Sequence, residues 1–173
     1  MPAASHSSGT AALIADLPGL GKSAQLLGLV GSIARCIDIP ALRSRLAVEL
    51  RSMHAVIVCP AGVVTTWENE IRKWFGEEHG HPFRSYCIEN RKISTPETIQ
   101  KWAEEGPSIF LVGFEALSAL LKTQPETFAL LTTTASILIV DGAHRLRSGN
   151  TMQYVALTRF KTSRRIVLTG TPM

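Results

Sequence analysis

The chain has few cysteines, no long apolar run and no strong excess of either charge, and each shortage removes a class of protein. Its 173 residues contain three cysteines, Cys36, Cys59 and Cys87, with no C-x-x-C pair. An odd, unclustered set with apolar neighbours excludes a disulfide framework and is expected of buried thiols in a reducing compartment. No stretch reaches the roughly 18 consecutive apolar residues that a membrane span requires. The N terminus, MPAASHSSGT, lacks the positively charged start and apolar run of a secretory signal, so an intracellular, soluble chain is expected. Repeats, low-complexity tracts and Gly/Ser linkers are also missing, which leaves a single domain as the reading of this length.

Charge is scarce as well: 18% of residues are charged against 45% hydrophobic, a balance that favours a packed core over disorder. Lys and Arg number 18 against 14 acidic residues, and no run holds more than two basic residues. The resulting +4 is compatible with a polyanionic partner without demanding one, and any phosphate-binding face must be assembled by folding. His79 and His81, in EEHGHP, lack further ligands at useful spacing, so a metal site is not expected there.

What the chain does have is a series of short runs rich in Ile, Val and Leu: AALIAD at 11–16, AVIVCP at 55–60, IFLVGF at 109–114, ILIVD at 137–141 and RIVLTG at 165–170. Near-continuous apolar character over four to six residues predicts strands buried on both faces, as in a parallel sheet. Helical segments are predicted between them at 22–36, 63–75, 96–105 and 115–122, with one additional strand around Tyr86 to Ile88. In the second helix Val64, Trp67, Ile71 and Trp74 recur at helical spacing on one face and are expected in the core. Alternating strands and helices predict a doubly wound α/β domain, whose ligands bind at the C-terminal ends of the strands.

Those ends carry the chemistry. DLPGLGKS, from Asp16 through Leu17, Pro18, Gly19, Leu20, Gly21 and Lys22 to Ser23, has the G-K-S ending of a phosphate-binding loop, with Asp16 where the usual pattern starts with Gly. Glycines let backbone amides curl around phosphate oxygens, the following helix offers its positive end, Lys22 can reach the outer phosphates and Ser23 can ligate magnesium. Asp141, closing an apolar strand, is the candidate to hold magnesium opposite Ser23. A flexible turn with a solvated lysine, and an Asp that merely caps a turn, are the blander alternatives.

Four segments in order carry a resemblance to one family: ADLPGLGKSAQ, VIVCPAGVVTTWENEIRKWF, DGAHRLRS and RIVLTGTPM. The chain resembles the first RecA-like lobe of the Swi/Snf-type chromatin-remodelling ATPases of helicase superfamily two, a three-layer α/β P-loop fold, over residues 11–173 after a short segment at 1–10. The resemblance implies ATP and magnesium as cofactors, with Lys22 and Ser23 on the phosphates and magnesium and Asp141 on magnesium. It also implies that His144 links the nucleotide site to a third motif formed by Thr169, Gly170 and Thr171, and that Pro60, Ala61 and Gly62 lie against a DNA backbone. DNA or nucleosomes would be the partner, and the nucleus the location.

The departures set the expected activity. Gly142 stands where the family has the glutamate that polarises the attacking water, and losing such a base removes about 10² to 10⁴ in rate, roughly 3 to 5.5 kcal/mol of transition-state stabilisation. Leu17 and Pro18 replace a Glu and a Met of the family loop. No counterpart is expected for the upstream glutamine-containing segment that reads adenine, nor for the second lobe, whose arginines complete the site. The expectation is therefore a nucleotide-binding lobe with little or no hydrolysis as an isolated chain, the alternative being a degenerate module that binds nucleotide, DNA or protein. A nucleotide kinase or GTPase shares the phosphate loop but not DGAHRLRS followed by LTGTP.

Overall fold

In a computed structural model, which describes residues 11–15, 21–76, 84–88, 96–142 and 151–169, the five apolar runs and the additional run near Tyr86 form one six-stranded sheet. The strands are β1 (Ala11–Ala15), β2 (His54–Cys59), β3 (Arg84–Cys87), β4 (Ser108–Gly113), β5 (Ile137–Asp141) and β6 (Arg165–Thr169). Every pairing is parallel, in the order β1-β6-β5-β2-β4-β3. Successive residues of a strand point to opposite faces. Accordingly Val56 and Val58 of β2 enter one core while Ala55, Ile57 and Cys59 enter another.

Helices cover both faces, giving three layers. On one face α1 (Lys22–Asp38) and α3 (Val64–Phe75) bury Leu26, Leu27, Val30, Trp67 and Ile71 against the sheet. The other face is covered by α4 (Pro96–Glu104), α5 (Phe114–Thr123), α6 (Pro125–Thr134) and α7 (Met152–Thr158), through Trp102, Phe114, Leu117, Phe128 and Leu157 among others. A four-residue helix, α2 (Pro40–Arg43), follows α1. Among the described residues the buried clusters on the two faces are separate, so each strand side chain is committed to one layer by its register.

Two expectations are corrected by this arrangement. Although predicted to be buried on both faces, β1 lies at the sheet edge with Leu13 52% exposed, since its described partner is β6 alone. Trp74 is not a core residue: Trp67 and Ile71 are buried, Val64 is half-buried and Trp74 is 40% exposed. The 3-4-3 spacing sweeps across the helix face, leaving the first and last of the four residues at its margins.

Of the three thiols only Cys59 is fully buried, and Cys36 and Cys87 are partly exposed. Among the described residues no helix is long and apolar enough to cross a membrane.

Candidate functional site

Parallel register brings the strand ends to one edge. Ala15 pairs with Thr169, Asp141 with Leu168, Val58 with Val140 and Cys59 with Gly113. The C-terminal ends of β1, β6, β5, β2 and β4 thus form a row, and Asp141 and Thr169 stand in adjacent strands of it. Thr169 is buried and Asp141 is half-buried.

The next described element after β1 is α1. Gly21 caps α1 in the left-handed conformation (φ 75°), which glycine adopts without steric cost. A Cβ added at Gly21 would meet nothing within 4 Å. Gly21 brings no capping side chain, and the first turn contains no acidic residue, so the positive end is not neutralised from within that turn. Lys22 and Ser23, the first two helical residues, are half-buried at this end. Helix α1 then runs back along the same face of the sheet as α3.

Asp141 is gripped from that layer. Trp67 Nε1 donates to Asp141 Oδ2 at 3.0 Å, joining α3 to the end of β5. The sequence assigned Trp67 to the core and missed this bond. The available signal was the indole itself, since a buried Trp N–H ordinarily finds an acceptor, and α3 leaves β2, the strand beside β5.

Gly142 follows in the left-handed region (φ 77°), buried, with its N–H donating to Leu168 O at 3.1 Å. Cys59, at the end of β2, has its thiol pushed up to about 12, chiefly by burial and next by the negative charge of nearby Asp141. A thiol held protonated in this way is no nucleophile.

Pro60, Ala61 and Gly62 form the turn between β2 and α3. Ala61–Val63 is a single 3₁₀ turn closed by Val63 N–H to Pro60 O at 2.8 Å. Gly62 is exposed, with open space around its Cα. Beside the turn is a cleft of about 200 Å³ whose walls include Thr65, Glu68, Cys87 and Gly113. Asp16, Leu17, Pro18, Gly19, Leu20, His144, Gly170 and Thr171 lie outside the described residues, as do His79 and His81.

Among the described residues no group of three or more His, Cys, Asp or Glu could hold a metal ion. Magnesium asks for less from a protein: one or two hard oxygen ligands, with substrate phosphates and water completing the octahedron. A serine hydroxyl at the positive end of a helix and an aspartate at a strand end are oxygen donors of that kind, so the residues present fit the ion.

A six-stranded, all-parallel sheet between two helical layers, with a helix N terminus and a strand-ending aspartate at its C-terminal edge, defines a RecA-like α/β lobe. The solved Sulfolobus solfataricus SWI2/SNF2 ATPase core in complex with dsDNA shares this fold with a TM-score of 0.65, at 20% identity, over 93% of this chain and 28% of that one.

The family model for the SNF2-related domain matches residues 2–173, and the chain belongs to that family. Relatives include the DNA repair protein rhp54 of Schizosaccharomyces pombe, 28% identical over 93% of this chain and 18% of the relative. The DNA repair and recombination protein RAD54B of Gallus gallus is 30% identical over 94% of this chain and 16% of its own length. The chain therefore spans under a fifth of the length of these relatives.

Proposed function

We propose that this chain is the ATP-binding first lobe of a Swi/Snf-type DNA-dependent ATPase, residues 11–173 forming the lobe after a short segment at 1–10. In this reading Lys22 and Ser23 bind the phosphates of ATP, and Ser23 with Asp141 holds magnesium, which when bound screens the phosphate charge and orients the outer phosphate. The single observation that supports the reading is Asp141 at the C-terminal end of an all-parallel sheet strand, in a chain whose first strand is followed by a helix beginning with Lys22 and Ser23 after a left-handed Gly21. The rest of the site is assigned by the family: Asp16 to Gly21 as the phosphate loop, and His144 with Thr169, Gly170 and Thr171 as the link between nucleotide state and lobe movement.

DNA or a nucleosome is the proposed partner and the nucleus the proposed location, in keeping with the DNA repair relatives. Pro60, Ala61 and Gly62 would meet the DNA backbone through the amides of their turn. Because Glu68 puts a carboxylate in the adjoining cleft, the phosphates would be met on the exposed side of the turn, at Gly62. Turnover requires a second RecA-like lobe.

Gly142 shapes the outcome. With no carboxylate to polarise water at that position, the lobe holds Mg-ATP and turns it over slowly or not at all. Gly142 is also the observation that favours the second reading, a non-catalytic module that binds nucleotide, DNA or protein.

Phosphate release tests the proposed deficiency, measured on the chain joined to a Swi/Snf-type second lobe in the presence of double-stranded DNA. Release no faster than that of Lys22→Ala is expected. DNA-stimulated release that depends on Lys22 would show that another group supplies the base, and would contradict the assignment of Gly142.

A further inference from the structure

The bond between Trp67 and Asp141 joins two parts of the lobe that the proposed function treats separately, the segment assigned to DNA and the carboxylate assigned to magnesium. An indole N–H can only donate and an ionised carboxylate can only accept, so the direction of the 3.0 Å contact is fixed. The indole is buried, 2% exposed, in the core shared by α1, α3 and the sheet, with Ile71 one turn further along α3. Its N–H is therefore a rigid donor, placed by helix packing rather than by its own flexibility.

Burial alone does not account for the pairing. Trp102, equally enclosed in the other core, has no acceptor for its Nε1 among the described residues. Asp141 has water within reach, being only half-buried, and an unrestrained aspartate at a strand end would sample several orientations. A donor at Oδ2 removes that freedom and sets the direction of Oδ1. Carboxylates that serve metals are commonly held by such outer partners.

We propose that Trp67 is a positioning residue for the magnesium-linked carboxylate: its indole N–H holds Asp141 in one orientation for the magnesium of a bound nucleotide. The proposal rests on the reading of the lobe as an Mg-ATP site. It adds a residue whose role lies in the network of the site, reaching Asp141 from a helix that begins at the turn of Pro60, Ala61 and Gly62.

The test is calorimetric titration of ATP, with magnesium chloride and separately with EDTA, into wild type, Lys22→Ala and Trp67→Phe. A second replacement at position 67, the benzothiophene analogue of tryptophan, keeps the bicyclic shape and lacks the N–H, which guards against a variant that merely folds poorly. Magnesium should strengthen ATP binding by the wild type. Both replacements should cut that strengthening about tenfold while leaving affinity in EDTA unchanged.

A purely structural role would weaken binding equally in both buffers. An unchanged ratio between magnesium and EDTA affinities, in a protein whose wild type binds through Lys22, overturns this proposal alone. A wild type that binds no ATP, binds it independently of Lys22 or ignores magnesium overturns the proposal together with the reading beneath it.

Discussion

Gly142 shows how much one residue can hide from a sequence. Read as a letter, it stands where the family resemblance expects a base; in the fold it is a buried backbone position at φ 77°, tied to β6 through its N–H. An L-residue in the left-handed region costs about 1 to 2 kcal/mol. Gly142→Ala should accordingly lower stability by about that amount in urea unfolding, and a neutral or stabilising alanine would contradict the positive φ. Restoring glutamate here would carry the same conformational cost before any catalytic gain. The identities of Lys22, Ser23 and Asp141 as candidates were legible because strand-end motifs announce themselves. The partner of Asp141 was not, because Trp67 lies 74 residues away in sequence and its helical spacing spoke only of burial.

At the scale of the element, the sequence was clear wherever apolar periodicity was strong. All five apolar runs became parallel strands, the expected extra strand near Tyr86 is β3, and the four predicted helices appear with ends shifted by a residue or two. The unforeseen element of comparable length is α6, PETFALLTTT, which ends in three threonines whose branched side chains disfavour helix. There the hydroxyls of Thr132 and Thr133 bond back to Ala129 O, and Pro125 starts the helix where its missing N–H costs nothing. Burial of Phe128 and Leu131 against the sheet overrides weak propensity.

Helix α3 shows the limit of periodicity, because residues that share one helical face lie at unequal depth. Trp67→Ala should cost about 3 to 5 kcal/mol, as for a large buried aromatic, whereas Trp74→Ala should cost under about 1 kcal/mol. Urea unfolding of the two variants checks the order. Equal losses would mean that Trp74 is packed as deeply as Trp67.

The described residues form one lobe whose strand ends share an edge, and relatives such as rhp54 and RAD54B are several times longer than this chain. Fold class was readable from composition and pattern because a parallel sheet needs apolar strands and covering helices. The exposure of β1 was not, since edge position depends on strand order, and strand order follows from packing across the whole chain. The central claim concerns what that edge holds, and it is independent of the second lobe and of turnover. Calorimetric titration of ATP with magnesium into wild type and Lys22→Ala therefore tests it most directly. The account predicts one saturable site per chain in the wild type and loss of that binding in the variant; no binding by either protein, or equal binding by both, would contradict it.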